Sequence, residues 1–365
     1  MSAPGDEAPI GPSERDALLA PLADAEHLLV AISGGPDSTA LLGLLAAWTR
    51  ARGRPALSAA TVDHGLRLEA AGEAEAVAAW CRRSGVSHAV LVWRREEGPS
   101  GSVSQAEARR ARYELLSAEA ARIGATRLVV AHHQDDQAET LLMRMAAGSG
   151  IAGLAGMRPE SRRGALVLVR PFLGLPKARL VATCRAEGWP FVADPTNARR
   201  LYARTRWRDL APALSAEGLD ARRLGALAER LARADAALAA VAEAAFAAQG
   251  RPREDGRVSL DLRRLLNEPA EIALRVLGLA VAAVETDPGA ALRLDRLETG
   301  GAALFAAARE GRGLRRTLAG RVLSLDPAGI LIVTGEGARR RGRREALTLP
   351  ASEPPPSLGT ETLRP

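Results

Sequence analysis

Between His27 and about Leu210, short apolar runs alternate with longer stretches in which apolar residues return every three or four positions. The runs HLLVAIS (27–33), ALSAATVD (56–63), HAVLVWR (88–94) and RLVVAHH (127–133) have the length and aliphatic content of strands. Ser38 to Arg50, Ala70 to Ser84, Ser104 to Ile123 and Asp136 to Ala147 have helical spacing. This alternation predicts an α/β fold, a Rossmann-like parallel sheet with helices on both faces. In such sheets ligands bind beyond the carboxyl ends of the strands.

After Pro212 the pattern changes. The Ala/Leu/Arg stretches 221–249 and 259–284 have the periodicity of amphipathic helices, and 314–335 holds two β-type runs around Asp326-Pro327-Ala328-Gly329, the pattern of a small hairpin. The expected division is an N-terminal extension (1–24), the α/β domain (25–212), a helical domain (213–312), a small β-containing region (313–347) and a Pro- and Ser-rich tail expected to be disordered (348–365).

Composition narrows this picture. Hydrophobic residues make up 47% of the 365 but aromatics only 3%, so the core is expected to rest on aliphatic packing. Cys81 and Cys184 lie far apart with no C-x-x-C pair, which argues against a disulfide framework, a zinc ribbon or an iron–sulfur site and for simple burial. The N-terminus lacks the pattern of a secretory signal, and no apolar run approaches the roughly 18 residues of a spanning helix, so a cytoplasmic chain without membrane insertion is expected.

The net charge of +7 is unevenly spread: residues 1–150 hold 15 Arg and 19 acidic residues, which leaves 35 basic and 24 acidic residues for 151–365. Lys177 is the only lysine. A basic second half is what binding to a phosphate backbone would produce, and a solvated arginine-rich surface accounts for the charge equally well.

The chemistry begins at Ser33-Gly34-Gly35-Pro36-Asp37-Ser38, where an apolar strand runs through a glycine-rich turn into a leucine-rich helix. Backbone amides and a helix N-terminus then converge at one point, a ready anion site to which Ser33 and Ser38 can add hydroxyl donors. Asp37 would repel phosphate unless a cation such as Mg²⁺ came between them. A plain turn with Asp37 or Ser38 as N-cap is the alternative. The turn lacks the Gly-Lys-Ser/Thr ending of a Walker A loop and the G-x-G-x-x-G spacing of a dinucleotide fold.

Six further segments stand out. Thr61-Val62-Asp63-His64-Gly65-Leu66-Arg67 ends the second strand. Ala108-Arg109-Arg110-Ala111-Arg112-Tyr113 sets Arg109 and Arg112 one turn apart on a helix, able to meet phosphate or carboxylate together or simply to form a solvated face. Ala131-His132-His133-Gln134-Asp135-Asp136-Gln137-Ala138-Glu139-Thr140 precedes Gly148-Ser149-Gly150-Ile151-Ala152-Gly153-Leu154. Asp136 to Glu139 reads as a capping box, but two histidines and three carboxylates crowded at a strand end call for compensating cations. Lastly come Arg170-Pro171-Phe172-Leu173 and Asp194-Pro195-Thr196-Asn197, with Tyr202, Arg204 and Arg208.

The opening turn resembles the S-G-G-x-D-S loop of N-type ATP-pyrophosphatases, the PP-loop superfamily. The remaining segments resemble the V-D-H-G-L-R, A-R-x-x-R-Y, A-H-H-x-D-D-Q-x-E-T, G-S-G-x-x-G-L, R-P-L-L and D-P-S-N motifs of the tRNA(Ile)-lysidine synthetases. Gln105 stands where that family usually has Glu, and Thr205 where it has Asn. The resemblance is dense over 28–210 and looser over Arg316 to Gly320.

The resemblance implies a ligase that adenylates the wobble cytidine of a CAU-anticodon tRNA(Ile) with ATP and then joins L-lysine to it, releasing AMP and pyrophosphate. It implies ATP binding by residues 33–38 and His64, and roles in catalysis for Asp37, Arg109, Arg112, Asp136 and Glu139. It further implies Mg²⁺ at Asp37 and Asp136, tRNA contacts at Arg170, Asn197, Arg204 and Arg208 and across the helical domain, and leaves room for a homodimer. The rivals are a tRNA 2-thiolase of the same fold, which normally needs paired cysteines, and a tRNA-binding protein with a defunct nucleotide site.

Overall fold

The computed structural model describes residues 7–63, 70–94, 104–192, 203–252, 255–285 and 292–336. The chain divides into two compact units, residues 1–241 and 242–365. Residue 212, where composition set an expected boundary, lies inside a helix, and the division between units falls further on, within the helix Ala221–Gln249.

The first unit contains α1 (Pro12–Leu19), β1 (His27–Ala31), α2 (Pro36–Arg52), β2 (Ala56–Asp63), α3 (Ala70–Arg83), β3 (Ser87–Val92), α4 (Gln105–Ile123), β4 (Arg127–Val129) and α5 (Gln134–Ala146). It continues through α6 (Ile151–Leu154), β5 (Glu160–Arg163), β6 (Leu166–Val169), α7 (Lys177–Ala186), α8 (Ala203–Ala216) and most of α9 (Ala221–Gln249). Its sheet runs β3-β2-β1-β4-β6-β5, parallel throughout except for β5, which pairs antiparallel with β6 at one edge. The β5–β6 hairpin was not anticipated, because Gly164 joins two strands too short to show a period of their own.

The inner strands are apolar at successive positions because both of their faces are covered. On β1, Leu28 and Val30 face a cluster that holds Leu41, Leu42 and Leu45 of α2, Val77 and Cys81 of α3 and Leu180 and Cys184 of α7. Leu29 and Ala31 face the opposite cluster, with Tyr113, Leu116 and Ala120 of α4. A fully buried leucine contributes about 1.5–3 kcal/mol, so α2 is fixed firmly by Leu41, Leu42 and Leu45. That rigidity is passed to the turn before it. The two cysteines are free and buried, as expected, and burial pushes their thiols up to about 11 for Cys81 and about 12 for Cys184.

The second unit holds a five-stranded antiparallel sheet, β7-β8-β11-β10-β9, where a single hairpin was expected. The strands are β7 (Arg251–Pro252), β8 (Val258–Asp261), β9 (Leu314–Leu318), β10 (Arg321–Leu325) and β11 (Ile330–Gly335), and the expected turn at Asp326 to Gly329 does join β10 to β11. The stretch 259–284 is not one helix. It opens in β8, passes through α10 (Leu262–Leu265), breaks at Pro269 and resumes as α11 (Ala270–Ala282), followed by α12 (Leu294–Arg309). Asp261 explains the first break, since its side chain accepts from the amides of Arg263 and Arg264 and starts a new helix there. No helix among the described residues is long and apolar enough to cross a membrane.

Candidate active site

β1 leads into the turn at residues 33–38, and α2 begins at Pro36. Gly34 has φ +83°, a conformation that favours glycine, and a Cβ there would press on Val77 Cγ2 at 3.1 Å. The serines lock the loop: Ser33 N donates to Ser38 Oγ (3.1 Å), and Ser38 Oγ donates to Gly35 O (3.1 Å). Gly35 is the N-cap of α2, and no side chain caps the helix, so the first-turn amides keep their capacity for an anion at the positive end of the dipole.

The carboxylate cluster stands next to this loop. His133 is the N-cap of α5, and its backbone amide donates to Asp136 Oδ2 (3.2 Å) in place of the Asp136-to-Glu139 capping box expected from sequence. The helix starts two residues earlier than its apolar spacing suggested, because Gln134 N donates to Leu175 O and the strand ends already at Val129. His133, only 2% exposed, places Nε2 3.5 Å from Asp37 Oδ2 and 3.4 Å from Asp136 Oδ2, while Nδ1 lies 3.4 Å from Asp135 Oδ2. Burial disfavours a charged imidazole, but the hydrogen bonds to Asp135 and Asp37 and the charge of Asp136 outweigh it and push His133 up to about 10. His133 is therefore an imidazolium at neutral pH, the internal compensator for three carboxylates.

Two more cations complete the cluster, and neither pairing was legible in sequence. Arg208 of α8 grips Glu139 through Nε and Nη2 and reaches within 3.9 Å of Asp136 Oδ1. Burial works against its charge, but Glu139, Asp136 and Asp37 together hold it above its ordinary value. Lys177, at the start of α7, donates its backbone amide to Asp135 Oδ2 (3.0 Å) and brings Nζ to 3.6 Å from Asp37 Oδ2. Its uniqueness as the only lysine was the sole sequence signal.

His133, Asp135, Glu139, Lys177 and Arg208 line a cavity of about 430 Å³ together with Leu142, Trp207, Ala211, Leu214 and Leu224. Its lining combines charged and apolar side chains.

As for a metal, Asp37 Oδ1 is buried without a hydrogen-bond partner, an acceptor set for a cation. Among the described residues no group of three His, Cys, Asp or Glu side chains could hold a metal alone. That donor set suits Mg²⁺, which keeps several waters and takes few carboxylates together with substrate phosphates.

Of the remaining expected residues, Arg109 and Arg112 lie on α4, and Arg170 follows β6 with its side chain buried. Arg204 lies in α8, but its side chain, like all of His64 and Asn197, is outside the described residues. The geometry therefore unites residues 33–38, Asp136, Glu139 and Arg208, while Arg109 neighbours both Arg112 and Arg170.

The chain matches the PP-loop domain family over residues 12–214. It is 52% identical to a tRNA(Ile)-lysidine synthase of Methylobacterium nodulans over 87% of this chain and 93% of that one. It is 45% identical to a tRNA(Ile)-lysidine synthase of a Bradyrhizobium species over 92% and 98% of the two chains. A solved U34-tRNA thiolase from Methanococcus maripaludis has the same fold, with a TM-score of 0.52 at 15% identity over 60% of this chain and 78% of that one. On these matches the chain belongs to the tRNA(Ile)-lysidine synthase family and carries its PP-loop domain.

Proposed function

We propose that the protein binds ATP at residues 33–38, activates the wobble cytidine of a CAU-anticodon tRNA(Ile) and transfers L-lysine to it. The observation that carries this reading is the juxtaposition of an uncapped phosphate turn with a carboxylate cluster that opens on a half-aliphatic cavity.

The cytidine O2 attacks the α-phosphate of ATP and pyrophosphate leaves; the ε-amine of lysine then attacks C2, and AMP leaves as the C–N bond forms. Adenylation supplies the leaving group, so the protein chiefly positions reactants and balances charge. The turn and the N-terminus of α2 receive phosphate. Lys177, already beside Asp37, can turn its ammonium toward phosphate charge as pyrophosphate departs. Asp37 and Asp136 would hold Mg²⁺, which would supply charge neutralisation to the phosphates.

In the cavity, Asp135 and Glu139 are acceptors for the amino groups of lysine, and Leu142 and Leu214 offer apolar contact for its methylenes. Arg208 sets the orientation of Glu139. The family reading carries with it a cytoplasmic site of action. A thiolase is disfavoured because both thiols are buried and pushed up, away from the thiolate that sulfur transfer requires.

The test incubates the protein with ATP, tRNA(Ile) bearing CAU, and either L-lysine or inorganic sulfide. Lysine incorporation with pyrophosphate release supports the reading; sulfur incorporation contradicts it.

A further inference from the structure

Away from the carboxylate cluster, the edge of the first sheet gathers arginines around one tyrosine. Tyr113, 3% exposed, has the guanidinium of Arg163 over its ring at 4.2 Å and that of Arg109 at 5.2 Å. Arg170 is 7% exposed, and its Nη1 donates to Arg158 O (2.7 Å) and Ser161 Oγ (3.2 Å), but its Nε is buried with no partner. Arg109 and Arg163 are exposed and form no ion pair with any described residue. Arg144 is anchored by Gly153 O and Gly156 O.

Burial and the charge of Arg109 each draw Arg112 and Arg144 below the ordinary guanidinium value, and Arg170 is drawn down by burial and by Arg109 and Arg163. Like charges crowded this way are unfavourable by themselves. An anion relieves them.

We propose that Arg109, Arg163 and Arg170, gathered around Tyr113, bind a phosphate of the RNA backbone beside the nucleotide being modified. The stacked guanidiniums are oriented by the ring, which suits the planar fork that grips phosphate. RNA is favoured over ATP by position: in the order β1-β4-β6-β5, the strand carrying Arg163 lies three strands, about 14 Å, across the sheet from the strand that feeds the phosphate turn. A polynucleotide extends that far with phosphate at every step. This inference rests on the proposed reading of the chain as a tRNA-modifying enzyme.

The test measures binding of an anticodon stem-loop RNA bearing CAU, at several salt concentrations, to the full chain and to Arg163→Glu, with ATP–Mg²⁺ binding measured on the same samples. Side chains alternate along β5, so Arg162 points to the opposite face from Ser161 and Arg163, and Arg162→Glu is the charge-matched control. Arg163→Glu is expected to weaken RNA binding about tenfold or more and to reduce the salt slope by about 1, with ATP affinity unchanged.

Weakened ATP binding with RNA binding intact, or an equal effect from Arg162→Glu, would overturn the site. If the wild type transfers no lysine while Arg163→Glu still weakens RNA binding selectively, the site stands and the lysidine reading falls. If lysine is transferred and Arg163→Glu binds RNA normally, the site alone falls.

Discussion

Lys177 Nζ and Asp37 Oδ2 lie 3.6 Å apart, although one residue opens α7 and the other sits in the first turn of α2. A cation at a helix N-terminus opposes the helix dipole, so Lys177 stands where local preference would not put it. Asp37 supplies the compensation. The contact ties α7 to the phosphate loop.

Removing the carboxylate should therefore harm chemistry far more than folding. Asp37→Ala is expected to reduce ATP- and tRNA-dependent pyrophosphate release by about 100-fold or more, on the scale of losing a preorganised electrostatic group. Its thermal midpoint should change little, because losing the unsatisfied Oδ1 offsets the lost contacts of Oδ2 with Lys177 and His133. Unimpaired pyrophosphate release would remove Asp37 from the mechanism.

Arg208 and Glu139 make the complementary case. Glu139 is 7% exposed, so Arg208→Ala leaves a buried carboxylate uncompensated. Breaking such a pair costs about 3–5 kcal/mol when both partners are buried, and less here because the guanidinium is partly open to water. Arg208→Ala should lower the melting temperature and raise the KM for lysine. The double variant Arg208→Ala/Glu139→Gln should recover part of the lost stability, as coupled neighbours do. Strict additivity in a double-mutant cycle would deny the coupling.

How much of this was legible in the chain follows from distance along it. The β1–turn–α2 unit is local: an apolar run, a glycine with positive φ and a leucine-rich helix declare themselves in sequence. Asp136 and Glu139 were legible for the same reason, being one turn apart on α5. Lys177 and Arg208 were not, since only the packing of α7 and α8 brings them to Asp37 and Glu139. Most of strand β8 was lost in an apparent helix because Val258, Leu262 and Leu265 keep helical spacing across its end, and only pairing with β11 decides for a strand.

Gln137 holds the next segment to α5. Its Nε2 donates to Met157 O (2.9 Å), and its Oε1 accepts from Met157 N (2.7 Å), all buried. Gln137→Ala leaves a buried amide and a buried carbonyl without partners, an expected loss of about 2–4 kcal/mol by chemical denaturation. Gln137→Glu should keep only the interaction with the amide and fall between. A change below about 0.5 kcal/mol in Gln137→Ala would contradict the clamp.

Acid stability should report the link between α1 and α7. Both oxygens of Glu14 accept from Arg179 (2.6 and 2.7 Å), and this hydrogen bonding, opposed in part by burial, holds its carboxyl below the ordinary value. With a folded pKa below the unfolded one, the contribution is fully present above the unfolded value of about 4.3 and is lost as pH falls through the folded value. Glu14→Gln should be less stable than the wild type at pH 7, with the two melting curves converging toward pH 3. A constant gap across that range would refute the linkage.

The most direct test of the whole account is lysine transfer. Purified protein is incubated with ATP, Mg²⁺, L-lysine and tRNA(Ile) bearing CAU, and the anticodon fragment is analysed by mass spectrometry. The account predicts pyrophosphate release and one lysine joined to the wobble cytidine, both abolished in Asp37→Ala. ATP-dependent modification without lysine, or an unmodified cytidine, would contradict it.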